Sequence, residues 1–377
     1  LNRVRILAVA RKEYFHLIRD FRSLYLAFFI PLLLILMFGY ALSLDVDNIQ
    51  AVVVDYDRTP LTRDFIRKFD ASPYFQVTRY LPDSDDIHEY LDRGRAKMGL
   101  VIPPGWTEDM RADRETPLQI ILDGSDPNYA GISRGYVTAF IADYNQHQLK
   151  DFLNRQGLKQ IKPPVEGAVR VWFNENLESR VFIVPGIIAI IIMIVGALLT
   201  SLVVAREYEN GTMETIRSLP LRPEEFLLGK AIPYFFIAMM DVFIAVFMGQ
   251  ILFGVVVKSS FWLFVLASGI YLSVALSLGL LISTVTKSQL VANQMAILIT
   301  YLPSLLLSNF VFPVSNMPKA LQFISYIIPA TYFIDILNGL YLRNVGMHYL
   351  WNSYLVLVGM CLVLASLNVL LLKKEGF

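Results

Sequence analysis

The sequence predicts a membrane α-helical protein with six transmembrane helices and an inserted external α/β domain. Three observations lead there. The 377 residues are 55 % hydrophobic and only 17 % charged, with a mean hydropathy of +0.51, a balance that soluble domains do not share. The apolar residues fall into runs near the roughly 20 that a helix needs to cross a bilayer. Between the first run and the others lies a polar stretch, 45–180, in which short β-branched runs alternate with amphipathic ones.

Residues 1–22 carry Arg3, Arg5, Arg11, Lys12, Arg19 and Arg22, with Val4, Leu7, Tyr14, Phe15, Ile18 and Phe21 at spacings of three and four. The pattern predicts a basic amphipathic helix lying in the inner membrane interface. A basic tail with incidental periodicity is the alternative. Residues 23–44 make the first span, free of charge from Leu24 to Leu44. Ala41-Leu42-Ser43 resembles a cleavage site, but the run exceeds the roughly 7–15 residues of a signal core and reads as retained. Pro31 predicts a bend that neighbouring helices tolerate.

Within 45–180, strands are predicted over Ile49–Tyr56, Phe75–Leu81, Lys97–Pro103 and Leu118–Leu122. Helices are predicted over Thr59–Ser72, Asp83–Arg95 and Asn128–Gln156. Such alternation indicates a mostly parallel sheet. Pro163-Pro164 reads as an elbow and Val169–Phe173 as a strand leading back to the membrane. The membrane domain 181–377 then has spans over Val181–Val204, Ala231–Val257, Phe261–Val285, Leu290–Phe312 and Leu350–Leu372. The connection 313–347 is apolar but broken by Pro318, Pro329 and Gly339, and reads as a pair of short re-entrant helices in the outer leaflet.

Six spans place the N-terminal segment, the loop 205–230, the Lys287 turn and Lys373-Lys374 on one side. Only Lys258, Lys319 and Arg343 lie on the short loops opposite. The positive-inside tendency makes the first group, with both termini, cytoplasmic, and places 45–180 outside.

No GxxxxGK[ST] or HExxH motif occurs. The four histidines are scattered and the single cysteine, Cys361, sits in the last apolar run. No catalytic residue, directly bound cofactor or metal site is predicted, and no basic domain offers a nucleic-acid interface. Asp123-Gly124-Ser125-Asp126-Pro127-Asn128 has oxygen ligands but lacks EF-hand spacing, and reads as a turn capping the next helix. Asp241 is an acid inside a span, where it should face the bundle or water. It reads as an interhelical hydrogen-bonding residue, with a proton relay as the rival, and Asn293 and Gln294 read as the same kind of glue.

The loop 205–230 is the polar stretch the membrane domain is organised around. Asn210-Gly211 marks a turn needing positive φ. A short helix from Thr212 aligns Met213, Ile216 and Leu219 until Pro220, and Pro223 opens a second helix with Glu224 and Glu225 in its first turn. The predicted product is an exposed apolar stripe ringed by Arg206, Glu207, Glu209, Glu214 and Arg217, fit for a groove on a soluble partner. A loop whose stripe lies against the membrane is the alternative.

The segment Arg206-Glu207-Tyr208-Glu209-Asn210-Gly211-Thr212-Met213-Glu214, with Pro220 and Leu228-Gly229-Lys230, resembles the signature of type-2 ABC exporter permeases. The chain is similar to the bacterial drug-efflux branch with a large external domain after the first span. Further matches are Asp123-Gly124-Ser125 with Pro127, Arg170-Val171-Trp172-Phe173-Asn174, Val184-Pro185-Gly186, Phe312-Pro313, Asn316-Met317-Pro318 and Ile328-Pro329-Ala330-Thr331-Tyr332-Phe333. Glu175 stands where the family usually has proline, and Asn309 where it usually has glycine.

The resemblance implies a coupling helix at Thr212–Leu219 docking on a cytoplasmic ABC ATPase subunit, present in two copies, which holds the ATP and Mg. It also implies a second permease copy or paralogue, a periplasmic adaptor protein, a bacterial inner membrane and lipophilic or drug-like cargo. The rival readings are a proton-coupled exporter using Asp241 and a membrane receptor with an external sensing domain. The receptor lacks an internal segment long enough for an output domain.

Overall fold

A computed structural model describes residues 1–41, 48–112, 114–125, 127–155, 173 and 180–376. The chain divides into two compact units, Leu1–Ser43 with Arg170–Phe377, and Leu44–Val169. The elbow at Pro163-Pro164, the returning strand (apart from Phe173) and Glu175 lie outside the described residues.

The first unit begins with α1 (Arg3–Arg19), whose cap Asn2 accepts from the Val4 amide at 3.0 Å. Next is α2 (Phe21–Ala41), 21 residues or about 31 Å long at 1.5 Å per residue. The helices after the second unit are α7 (Arg180–Glu209), α8 (Thr212–Ser218), α9 (Pro223–Phe253), α10 (Phe261–Thr286) and α11 (Gln289–Leu306). Then come α12 (Lys319–Ser325), α13 (Pro329–Asn338) and α14 (Met347–Lys374). Among the described residues, α7, α9, α10, α11 and α14 are long and apolar enough to cross a membrane. The segment 313–347 contains the bent pair Lys319–Ser325 and Pro329–Arg343, which turns by 79°.

The centre of the unit is α7. It is apolar on every side, as a helix enclosed by others must be, and Ile183 to Ala197 are buried. Contact with α10 depends on small residues: a Cβ on Gly279 would fall 2.2 Å from Thr200 Oγ1 and 2.4 Å from the Ala197 carbonyl oxygen. Thr200 donates to the Leu276 carbonyl at 3.0 Å, and Ser283 Oγ accepts from the Ala205 amide at 2.8 Å, so the two helices are also joined by hydrogen bonds.

Gly186 of the 184–186 motif meets Phe310 inside this unit. A Cβ on Gly186 would fall 2.0 Å from the Phe310 ring, so only glycine lets that ring lie on α7. Asn309 has φ +67°, and its Oδ1 accepts from the Val314 amide at 3.0 Å. Asparagine tolerates the left-handed region that glycine adopts freely, so it can hold this turn in place of the glycine expected there.

The second unit holds β1 (Ile49–Asp55), α3 (Pro60–Asp70), β2 (Phe75–Leu81), α4 (Asp86–Asp92), β3 (Met98–Ile102), α5 (Trp106–Arg111), β4 (Gln119–Leu122) and α6 (Pro127–Arg155). The sheet order is β2-β1-β3-β4. β1 pairs in parallel with β2 and β3, and β3 pairs antiparallel with β4. Period-two alternation sends Ala51 and Val53 to one face of β1, where α3 and α6 contribute Phe65, Phe69, Val137 and Tyr144. Val52 and Val54 face Ile87 of α4. Short α5, absent from the sequence expectation, starts at Gly105 with φ +77°.

Candidate functional site

The loop between α7 and α9 is built from its turn outward. Gly211 has φ +69° and opens α8. The side chains of Met213 and Ile216 then point into the helical unit, and Met213 is only 2 % exposed. This corrects the expected exposed stripe: of its three residues only Leu219 faces outward, at 50 % exposure. Apolar residues three apart do mark one helix face, but here that face is the anchor. The outward face carries Thr212, Glu214, Thr215 and Ser218.

The expected ring of charge is corrected too, because Arg206 and Glu207 turn inward. Lys230 Nζ lies 2.8 Å from Glu207 Oε1 and 2.5 Å from Glu13 Oε1. Lys12 reaches Glu207 at 3.0 Å, Arg206 reaches Glu13 at 3.1 Å, and the Tyr234 hydroxyl donates to Glu13 at 3.2 Å. The Thr212 hydroxyl donates to the Glu207 carboxylate. Three cations therefore surround two buried carboxylates, which is what burying such groups demands. Glu13 and Lys230 were not among the expected site residues. Glu13 is the single acid between Leu1 and Arg19, which was the available signal.

A second cluster joins the rest of this end. Glu375 accepts from Lys287 at 2.7 Å and from Arg217 at 3.3 Å, and the Tyr208 hydroxyl donates to it. Burial pushes the Glu375 carboxyl up, but Lys287 and Tyr208 outweigh it and hold it below its ordinary value. Glu209 accepts from the Gln289 amide at 2.8 Å, and Lys373 pairs with Glu224 at 2.9 Å. The N-terminal helix, the α7–α9 loop, the α10–α11 turn and the C-terminal tail thus share one end of the first unit.

The intramembrane polar residues depart from expectation. Asp241 is buried, yet neither carboxylate oxygen finds a hydrogen-bond partner among the described residues. Ala238 and Ala245, a turn away on either side, are buried and offer no donor. Gln294 is exposed and Asn293 half-exposed on α11, and neither joins two helices by a hydrogen bond among the described residues. In the second unit Asp123 closes a turn, accepting from the Ser125 amide at 3.0 Å, and pairs with Lys97 at 2.8 Å.

Residues 21–370 match the model of the ABC-2 family transporter proteins. The chain belongs to this family. It is 36 % identical over 344 residues to the "Probable multidrug ABC transporter permease YbhS" of Escherichia coli (strain K12), covering 91 % of this chain and 89 % of the relative. It is 30 % identical over 349 residues to the "Probable multidrug ABC transporter permease YbhR" of the same organism, covering 93 % of each. "ABC transporter G family member 20" of Dictyostelium discoideum is 20 % identical over 370 residues, which are 98 % of this chain and 50 % of that protein. Family membership and apolar helices make this ABC-2 chain a multi-pass membrane permease. Membership in an ABC transporter family also implies an ATPase partner.

Proposed function

We propose that this permease is the transmembrane subunit of an ATP-driven exporter in a bacterial inner membrane, moving lipophilic, drug-like molecules outward. Two ATPase subunits on the cytoplasmic side hold ATP and Mg and supply the energy. A second permease, identical or similar, completes the pathway. The α/β unit is periplasmic, where an adaptor protein receives the cargo.

The observation that carries this reading is the convergence of basic segments on α8. Lys12, Arg206, Arg217, Lys230, Lys287 and Lys373 all lie in the ion-pair clusters around it. Positive charge favours the cytoplasmic side. The outward face of α8, with Glu214, Thr215, Ser218 and Leu219, then meets the ATPase, while Met213, Ile216, Arg206 and Glu207 fasten it to α7, α9 and α1. Gly211, Thr212, Glu209 and Arg217 set its angle. Force on α8 would reach α1, α7 and α9 as one body.

The test is a cysteine at Ser218 in a chain whose Cys361 is replaced by serine. It should react with membrane-impermeant maleimide only in inside-out vesicles and should crosslink to the co-purified ATPase. Labelling from the periplasmic side would overturn the reading. Asp241, which finds no hydrogen-bond partner among the described residues, supports one rival, a proton-driven carrier.

A further inference from the structure

Helix α1 buries one side against the protein and leaves the other open. On the open side Val4, Leu7, Tyr14, Phe15 and Ile18 are between 48 % and 74 % exposed. Arg11 stands among them, with Leu7 four residues before it and Tyr14, Phe15 and Ile18 three, four and seven after, spacings that share one helix face. Its guanidinium carbon lies 5.8 Å from the Phe15 ring centroid. Arg3 and Arg19 sit eight residues to either side of it, about 12 Å along the axis each way.

The cations of α1 divide into two sets. Arg5 pairs with Glu225 at 3.6 Å and Lys12 with Glu207 at 3.0 Å, so both are held by the protein. Arg3, Arg11 and Arg19 are exposed, and none makes an ion pair among the described residues. The helix has no acid to spare for them, because Glu13 is turned inward to Lys230 and Arg206.

A cation in the middle of an apolar face fits poorly into an apolar protein groove, where its charge would be stranded. It fits where hydrocarbon and negative groups lie within one side chain's reach, which is the headgroup boundary of a bilayer. Continuity favours the same occupant. The 21-residue apolar helix α2 starts at Phe21, just after α1 ends at Arg19, so the open face stands where the chain enters α2.

We propose that the open face of α1 is a binding site for anionic phospholipid, its headgroup held by Arg3, Arg11 and Arg19 and its acyl chains against the apolar residues. Apolar exposure alone would suit any lipid; the three arginines select negative headgroups. The inference uses α1 alone, so it stands or falls separately from the ATPase and the direction of transport.

The test uses the full chain in phosphatidylcholine nanodiscs, with Ala8→Cys carrying a bimane label and Cys361 replaced by serine. Ala8 is exposed on α1, one turn from Arg11. Quenching is compared between 5-doxyl phosphatidylglycerol and 5-doxyl phosphatidylcholine at equal mole fraction. The glycerol lipid should be preferred about fivefold, the effect of one arginine near an anionic surface. Arg3→Gln, Arg11→Gln and Arg19→Gln together should remove the preference and leave quenching by the choline lipid unchanged. About 1 M salt should remove it without any substitution, by screening. Equal quenching by the two lipids in wild type would overturn the proposal, as would a preference that survives the three substitutions or the salt. Absence of quenching by either lipid would show that protein covers this face, and would overturn it too.

Discussion

Lys230 of α9 and Glu13 of α1 meet at 2.5 Å, although 217 positions separate them, and each side chain is 1 % exposed. The neighbouring residue explains how the helices come so close. A Cβ on Gly229 would fall 2.6 Å from Val9 Cβ and 3.0 Å from the Ile6 carbonyl oxygen. The α1 face turned to the protein therefore carries Ala10, Glu13 and Leu17, while Val4, Leu7, Tyr14, Phe15 and Ile18 stay uncovered. An uncovered apolar face rimmed by arginine suits a membrane interface.

Removing the shared cation should be severe. Lys230→Met leaves two buried carboxylates short of a partner and should cost about 3–5 kcal/mol. Thermal unfolding in detergent measures the loss, and limited proteolysis should find α1 newly cleaved. Glu13→Gln combined with Lys230→Met should lose less than the sum of the single changes, since the two residues share one network.

Close helix contact predicts a contrast between two glycines of α10. Gly279→Ala forces a methyl against the Ala197 backbone oxygen, so α7 and α10 must separate, with an expected loss of about 1–3 kcal/mol. At Gly269 the nearest atoms to a new Cβ are Met239 Cε at 3.6 Å and Phe235 Cζ at 3.7 Å, and Gly269→Ala should be tolerated. Melting temperatures of the two variants decide the matter.

Much of this architecture was legible in sequence, for physical reasons. The uncharged runs from Val181, Phe261 and Leu350 became α7, α10 and α14 because apolar length leaves a chain few other choices. The β-branched runs at Ile49 and Phe75 became β1 and β2. The turn at Gly211 followed from residue type alone. Other features were hidden. Periodicity identified the Met213–Ile216 face but could not say which side the protein covers. The Lys230–Glu13 pair depends on helices brought together by the whole fold. Asn309 looked like a departure until its backbone angle showed a glycine-like conformation.

Acid should weaken the second unit through Asp123. Hydrogen bonding from Lys97, then from Ser125, holds its carboxyl well below the ordinary value of 3.8. A depressed value means that the contribution is fully present above the unfolded pKa and fades as pH falls below it. Stability measured from pH 7 to pH 3 should drop more in wild type than in Asp123→Asn. Parallel curves would remove Asp123 from the account.

Asp241→Asn separates the two energy sources. An ATP-coupled permease should keep transport near the wild-type rate, because the amide preserves shape and loses no hydrogen bond made among the described residues. A proton-driven carrier should stop. Dye efflux from loaded vesicles, with and without a proton gradient, distinguishes them.

The central claim is that an ATPase partner acts on the membrane helices through the outward face of α8. The most direct measurement is drug-stimulated ATP hydrolysis by the reconstituted complex carrying Glu214→Lys, a reversal at an exposed position that disturbs no buried contact. The account predicts normal assembly with stimulation abolished. Stimulated hydrolysis equal to wild type would contradict it.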